Sequence, residues 1–218
     1  MYRLVIGNRN YSSWSLRAWL AMTAAGIGLD AEVIPLDEPE TAARIRAVSP
    51  AGRVPVLIDG DLHVWESLAI IEYLAERHPD ARLWPAGARA RAVARAIASE
   101  MHAGFAALRG ECPMNIRRKP APHPAGISPA VADDISRIRE IWRETRAGFG
   151  AGGPFLFGAF SAADAMFAPV VSRFHTYAVA LGAVERAYAD AVLDHPGFRR
   201  WRADAEAEPW TIAGEEVE

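Results

Sequence analysis

The sequence predicts an α/β domain of about 80 residues, followed by an all-α domain over the rest of the chain. Apolar runs typical of strands alternate with helical patterns up to residue 80, and from residue 88 onward only helical periodicity remains. The 218 residues are 51% hydrophobic and 23% charged, which is too apolar for a disordered chain and sufficient for a large core.

Seven elements account for the first domain. An apolar run at residues 2–6 predicts a buried strand, and a serine-rich turn leads from it into an amphipathic helix. The inward stripe of that helix is formed by Leu16, Trp19, Leu20 and Thr23. A second strand is predicted over residues 31–36, and a short polar helix over residues 38–48 ends before Pro50.

A hairpin and a helix complete this domain. The hairpin strands, residues 54–58 and 62–65, flank Asp59-Gly60, a dipeptide that supplies the positive φ angles of a tight turn. A helix over residues 66–77 follows. The order βαβαββα is thioredoxin-like. Because neither a GxGxxG nor a GxxxxGK[ST] sequence accompanies it, a dinucleotide-binding or P-loop domain is excluded.

The second domain is predicted to be entirely helical. A linker lies at residues 79–87, and we take the two domains as residues 1–80 and 88–218. Helical patterns cover residues 88–110, 129–149, 161–181, 183–193 and 196–207. The proline-rich residues 113–129 are expected to form a connector. The acidic tail, residues 208–218, is expected to be mobile unless Trp210 docks it.

Charge and cysteine content exclude several classes of function. The formal net charge of −3 gives no support to a nucleic acid or an anionic membrane as partner. The single cysteine, Cys112, excludes a disulfide framework and a multi-thiolate metal site. The six histidines show no metal-ligand spacing, so no metal is expected. Because the first apolar run is too short for a signal peptide, we expect a cytoplasmic protein.

Three segments carry the chemistry of the chain. They are SSWSLR at residues 12–17, RVPVL at residues 53–57 together with Glu66-Ser67, and GAFSAAD at residues 158–164. In this order and layout they resemble the cytosolic glutathione S-transferases, and in particular the serine-type zeta, theta and delta classes. The resemblance covers nearly the whole chain except residues 113–129 and the tail. Trp14 stands where the zeta motif has a cysteine.

The resemblance implies that glutathione is the co-substrate and that a serine stabilises its thiolate. A thiol with a pKa of about 8.5 is only slightly ionised at neutral pH, and a hydroxyl at a helix N-terminus favours the ionised form. Ser13 lies four residues before Arg17, as the delta and theta serine does, so it is the first candidate, and Ser12 is the second. Either serine could instead be a simple N-cap.

The remaining implied contacts concern the peptide part of glutathione and the second substrate. A cis bond before Pro55 would present the backbone of Val54 to the cysteinyl unit, and Arg53 would reach the glycyl carboxylate. Glu66 and Ser67 would hold the γ-glutamyl group at a helix N-terminus. The electrophile pocket is expected at His102, Phe105 and Arg109, which would share one helical face; core packing is the alternative for these residues. Residues 114–118 could overhang that pocket.

The expected protein is therefore a homodimeric glutathione transferase that conjugates glutathione to a small electrophile. A glutathione-dependent cis-trans isomerase acting on a conjugated diacid, as maleylacetoacetate isomerases do, is the alternative. A non-catalytic interaction module of the same fold is the third reading. Ser161 and Asp164 are assigned a folding role as a capping box, and Cys112 is expected to be a bystander.

Overall fold

The computed structural model describes residues 1–217, and its first part is a four-stranded sheet flanked by helices. In chain order the elements are β1 (Tyr2–Ile6), α1 (Ser13–Ala24), β2 (Leu29–Val33), α2 (Thr41–Arg46), β3 (Val56–Asp59), β4 (Leu62–Trp65) and α3 (Ser67–Arg77). The strand order is β2-β1-β3-β4. Strand β1 runs parallel to β2 and antiparallel to β3, and β4 pairs antiparallel with β3. The predicted βαβαββα domain is therefore confirmed.

The bounds of two strands differ from the sequence prediction. Strand β2 covers residues 29–33 and not 31–36, because it pairs in register with the whole of β1, from Tyr2–Leu29 to Ile6–Val33. Strand β3 begins only at Val56, since Pro55 has no N–H to donate to the ladder. The Val54–Pro55 peptide bond is cis, as the resemblance implied.

The second part of the chain is helical, as predicted. Its helices are α4 (Ala88–Ala103), α5 (Ala106–Glu111), α6 (Pro129–Phe149), α7 (Ala162–Thr176), α8 (Ala183–Asp194) and α9 (Pro196–Glu206). Within residues 1–217, none of the helices combines the length and the apolar character that a membrane crossing would need.

The prediction of a single helix over residues 88–110 is wrong. Gly104 is extended and Phe105 adopts the left-handed conformation, with φ 58° and ψ 41°, so the chain turns between α4 and α5. His102 and Arg109 consequently lie on different helices and do not share one helical face with Phe105. The Phe105 side chain is buried in the core.

The core joins the two parts of the chain through α1 and α7. Nearly every residue of α7 is buried, and α1 buries Leu16, Trp19 and Leu20. Helix α1 packs against both α3 and α7. The N-terminus of α1, where the candidate serines lie, is thereby fixed against the helical domain.

The start of α7 depends on the capping box at Ser161 and Asp164. The buried Asp164 carboxylate accepts hydrogen bonds from the backbone N–H groups of Leu156 (3.0 Å) and Ser161 (2.8 Å), and from the Ser161 hydroxyl (2.9 Å). Burial raises the pKa of Asp164 to about 6, although these hydrogen bonds oppose the shift. The folding role assigned to this pair is consistent with these contacts.

Replacing Asp164 by asparagine is expected to lower the free energy of unfolding by about 1 kcal/mol, because the amide group cannot accept one of these hydrogen bonds. Urea denaturation at neutral pH measures the change. Asp190→Asn on the exposed face of α8 serves as the control and should have no measurable effect. An equal effect of the two substitutions would show that the carboxylate does not stabilise α7.

The C-terminal segment and the connector are both anchored. The connector before α6 buries Met114 and Asn115, and Asn10 donates to the Asn115 side chain at 3.0 Å. The half-buried Trp210 lines a surface groove with Pro35 and other residues near α2. The tail is therefore docked through Trp210. The sequence analysis expected a mobile tail only if Trp210 did not dock.

Candidate active site

A cleft with two lobes lies between the β3–α3 region and the helical domain. The first lobe, the Ser67 cavity, has a volume of about 310 Å³ and is lined by Trp14, Arg53, Val54, Pro55, Trp65, Glu66, Ser67, His102 and Arg109. The second lobe, the Ser13 cavity, has a volume of about 370 Å³ and is lined by Tyr11, Ser12, Ser13, Trp14, Leu36, Ile45, Gly52, Arg53, Val54, Arg109, Arg173, Ile212 and Glu215. Trp14, Arg53, Val54 and Arg109 belong to both lobes, so the two are continuous.

Polar groups without partners line the Ser67 cavity. The hydroxyl of the buried Ser67, at the first position of α3, has no hydrogen-bond partner among residues 1–217. In the same part of the chain, neither the N–H nor the carbonyl of Val54 forms a backbone hydrogen bond. Glu66 adopts φ 68° and ψ 122°, a strained conformation for a residue other than glycine, and such strain is concentrated at binding sites. Among the described residues, the Ser67 cavity thus contains polar groups that are free to form further hydrogen bonds.

The two candidate serines have different surroundings. The Ser12 side chain caps α1: it accepts from the backbone N–H of Ser15 (3.4 Å) and donates to the Ser15 hydroxyl (2.8 Å). The Ser13 hydroxyl accepts a long hydrogen bond of 3.5 Å from the Arg173 guanidinium. Because Arg173 uses only an acceptor position of Ser13, the hydroxyl proton of Ser13 remains available to a ligand.

Three arginines surround the Trp14 side chain and the Ser13 cavity. The guanidinium carbons of Arg17 and Arg109 lie 4.3 and 5.5 Å from the centre of the Trp14 ring. Arg173 donates to the Cys112 carbonyl at 2.8 Å. In residues 1–217 none of the three forms a salt bridge. The lining of the Ser13 cavity holds three arginines, Arg53, Arg109 and Arg173, and one glutamate, so its charge favours an anion.

The buried arginines have lowered pKa values. Burial, with smaller contributions from Arg173 and Arg109, lowers the pKa of Arg17 from 12.5 to about 9. Burial also lowers the pKa of Arg173 to about 10. Both guanidinium groups remain charged at neutral pH. Arg17 is fully buried, and all three of its nitrogens lack a hydrogen-bond partner in the described part of the chain.

His102 lies between Trp14 and Glu66. Its ring meets Trp14 edge-on at 5.2 Å, and its Nε2 is 3.5 Å from the Glu66 carboxylate. Burial and the charge of Arg17 lower the pKa of His102, whereas Glu66 raises it. The net direction is downward, so the imidazole is predominantly neutral at pH 7.

The structure brings together nine of the ten candidate site residues. Ser12, Ser13, Arg53, Val54, Pro55, Glu66, Ser67, His102 and Arg109 all line the cleft, whereas Phe105 does not. Residues 114–118 line neither cavity. Sequence reasoning missed Arg17 and Arg173 as charges at the site. The available signal was their position among apolar residues of a helix. An arginine is rarely buried without a partner, so an arginine at such a position indicates a special role.

Cys112 does not take part in the site. The thiol is buried, and burial raises the pKa of Cys112 to about 11, which suppresses its nucleophilic form. Within residues 1–217 no three histidine, cysteine, aspartate or glutamate side chains lie close enough to hold a metal ion.

Comparison with solved structures agrees with the thioredoxin-like and helical architecture. A glutathione transferase homologue from Burkholderia, solved with bound glutathione, superposes with a TM-score of 0.71 at 20% identity over 94% of this chain and 97% of that one. A theta class glutathione S-transferase from Xanthomonas axonopodis pv. citri, also with glutathione bound, gives 0.66 at 24% identity over 91% and 95%. At sequence identities of 20% and 24%, the similarity to these structures shows a shared fold.

Curated relatives match over shorter segments. A probable maleylacetoacetate isomerase of Caenorhabditis elegans is 36% identical over 98 residues, which are 44% of this chain and 44% of that protein. Glutathione S-transferase Z2 of Arabidopsis thaliana is 38% identical over 85 residues, 38% of this chain and 37% of that protein. The matched segments thus span less than half the length of these relatives.

Family models extend the match to both parts of the chain. The model of the glutathione S-transferase N-terminal domain matches residues 11–77, and that of the C-terminal domain matches residues 128–204. The two models together cover more than half of the sequence. They include the serine turn, the Val54–Pro55 segment, the Glu66-Ser67 pair and the capping box at α7. The chain therefore belongs to the glutathione S-transferase family.

Proposed function

We propose that this protein is a glutathione transferase, which binds glutathione in the Ser67 cavity and activates its thiol beside Ser13. The observation that carries the proposal is the set of unpaired polar groups in one continuous cleft. The Ser67 hydroxyl and the Val54 backbone lack partners within residues 1–217. An extended tripeptide with carboxylate, ammonium and amide groups would satisfy them.

Each polar group has a proposed role in holding glutathione. Ser67, at the N-terminus of α3, would bind the γ-glutamyl carboxylate, and Glu66 would accept from the ammonium group. Val54 would pair with the cysteinyl unit in the manner of an added strand. Arg53, in the wall common to both cavities, would bind the glycyl carboxylate.

Ser13 would stabilise the thiolate by donating a hydrogen bond to the sulfur. Arg173 orients the hydroxyl for this, because its own donation occupies an acceptor position of Ser13. The positive end of α1 and the nearby arginines lower the free energy of the sulfur anion further. In the reaction, a bond forms between this sulfur and an electrophilic carbon. In a substitution that carbon expels a leaving group with its electron pair, and in an addition the electron pair of the broken double bond takes up a proton at the neighbouring carbon.

A second candidate activity is supported by Arg17, Arg109 and Arg173, none of which forms a salt bridge within the described residues. A conjugated diacid carries two negative charges, which this cationic cleft would attract. The glutathione thiolate would add to the double bond, the resulting single bond would rotate, and elimination would regenerate the thiolate. Turnover of maleylacetoacetate without consumption of free thiol identifies this isomerase. Stoichiometric loss of thiol with a chlorinated aromatic electrophile identifies the transferase.

Replacing Ser67 by alanine is expected to raise KM for glutathione about tenfold and to leave kcat nearly unchanged, because the lost contact is equally strong in the ground and transition states. Steady-state kinetics with varied glutathione checks this. Ser136→Ala, on the exposed face of α6, is the control. A fall in kcat at constant KM would contradict the assigned role. If calorimetry finds no binding of glutathione to the wild-type protein, the non-catalytic interaction module becomes the better reading.

The assembly and the location of the protein are also part of this proposal. We propose a homodimer in the cytoplasm, with glutathione and a small electrophile as its only ligands and without a metal, a nucleic acid or a membrane as partner. The partly exposed Leu62 and Trp65 of β4 present apolar surface at an edge of the sheet. Sedimentation equilibrium of the wild-type protein tests the dimer.

A further inference from the structure

The C-terminal strap, which we define as residues 207–217, is fixed to the rest of the molecule by Arg117. The guanidinium of Arg117 donates to the carbonyl of Glu208 at 2.7 Å and to the carbonyl of Trp210 at 2.6 Å. It also donates to the Tyr11 hydroxyl at 3.0 Å. Tyr11 in turn donates to the Glu216 carboxylate at 2.5 Å. One side chain of the connector therefore holds the strap at several points.

Glu208 provides a second anchor at the beginning of the strap. Its buried carboxylate accepts hydrogen bonds from the backbone N–H groups of Arg9 (2.9 Å) and Asn10 (3.2 Å). These two residues lie shortly before Ser12 in the chain. The beginning of the strap is thus joined to the segment that leads into the serine turn.

This anchoring places Ile212 and Glu215 in the wall of the Ser13 cavity, together with Arg53, Arg109 and Arg173. Glu215 is the one acidic side chain among the described residues that line this cavity. Burial raises the pKa of Glu215, and the charge of Arg173 opposes that shift. The two groups interact electrostatically although they are not in direct contact.

We propose that Glu215 determines the charge specificity of the second substrate. Its carboxylate is the intramolecular counter-ion for the arginines of the Ser13 cavity, and an anionic substrate has to compete with it there. The inference rests on the proposed function, since it takes the Ser13 cavity as the place where the second substrate meets the thiolate. Glu215 consequently weakens the binding of anions and favours neutral electrophiles.

The test measures the binding of maleate, a small dianion, by calorimetry in the absence of glutathione. Glu215→Gln retains the size of the side chain and removes its charge, so it is expected to strengthen maleate binding about tenfold at low ionic strength. Added salt should reduce this gain. Glu206→Gln, which removes an exposed carboxylate at the end of α9, is the matched control and should bind maleate as the wild type does.

A second variant tests whether the anchored strap is what holds the Glu215 carboxylate in the wall of the Ser13 cavity. Arg117→Met removes the hydrogen bonds to Glu208 and Trp210, so the strap should become sensitive to limited proteolysis. The intact variant should show the same gain in maleate affinity as Glu215→Gln. If Arg117→Met releases the strap without any gain, the proposal fails.

The outcomes separate this inference from the proposed function. Maleate binding by Glu215→Gln within twofold of the wild type, or no binding by either protein, would overturn the role of Glu215. Glutathione is titrated into the wild-type protein in a separate experiment. Failure of that titration would overturn the proposed function, and it would not alter the maleate comparison.

Discussion

Replacing Ser13 by alanine is expected to lower kcat by about 100- to 1,000-fold, the usual cost of removing one hydrogen-bond donor to a developing anion. The expectation follows from the geometry of the two serines. The Ser12 hydroxyl both donates to and accepts from Ser15 in the first turn of α1. The Ser13 hydroxyl only accepts a hydrogen bond, from Arg173. Ser13 therefore has the free proton that a thiolate requires.

The measurement that isolates this role is the pKa of glutathione bound to the protein. Without the Ser13 hydroxyl, the pKa of the bound thiol should rise by about 2, since each pKa unit corresponds to about 1.4 kcal/mol of differential stabilisation. A titration of the thiolate absorbance in the ultraviolet gives this value. The Kd of glutathione should change little, because in the proposed function Ser67 and Val54 would hold the rest of the molecule.

Ser12→Ala is the matched control, because the two hydroxyls are adjacent in the chain. The loss of an N-cap is expected to lower the free energy of unfolding by about 1 kcal/mol. Its effect on kcat should remain below about tenfold, since the hydroxyl is committed to Ser15. If Ser12→Ala loses more activity than Ser13→Ala, the catalytic assignment moves to Ser12.

Replacing Arg17 by methionine is expected to stabilise the protein by about 2 kcal/mol and to lower kcat about tenfold. The guanidinium is fully buried against Trp14, and in residues 1–217 it has no hydrogen-bond partner. An unpaired buried charge costs stability, and methionine fills a similar volume without that cost. Under the proposed function, the positive potential of Arg17 would stabilise the bound thiolate, which would be the compensating gain in function.

The pH dependence of this effect has a defined sign. The pKa of Arg17 falls from 12.5 to about 9 in the folded protein, so the charged form is destabilised by folding. The penalty is therefore fully present below about pH 9 and diminishes as the pH rises above that value. Between about pH 6 and 8 the stability gain of Arg17→Met should be constant.

Urea denaturation of the wild type, Arg17→Met and Arg186→Met measures the free energy of unfolding and tests this prediction. Arg186 lies exposed on α8, so its substitution should change stability by less than about 0.5 kcal/mol. Lower stability of Arg17→Met would mean that the guanidinium has a stabilising role that its unpaired nitrogens do not suggest.

The sequence predicted the elements whose local signals are strong. The hairpin around Asp59-Gly60 was predicted because that dipeptide favours the required turn, and strand β4 has the predicted bounds. Helix α6 also has the predicted bounds, because it begins at Ser128-Pro129, a cap followed by a first-turn proline.

Errors occurred where tertiary contacts override local preference. The pattern of residues 88–110 is helical throughout, yet Phe105 adopts a left-handed conformation that ends one helix and starts the next. Burial of the Phe105 side chain in the core stabilises that turn. A single-sequence pattern contains no information about this packing, and for this reason it did not indicate that Phe105 lies in the core and not in the lining of the cleft.

The sequence by itself determined the two-part architecture, the family and the chemical character of the Ser67 cavity, because these depend on short motifs and periodicity. Only the tertiary structure shows which serine hydroxyl is free and which arginines surround Trp14. It also shows that the strap forms part of the wall of the Ser13 cavity. Arg17, Arg109, Arg173 and Glu215 are far apart in the chain, and only folding brings their charges together. Electrostatic interactions depend on distance and burial, neither of which a linear sequence specifies.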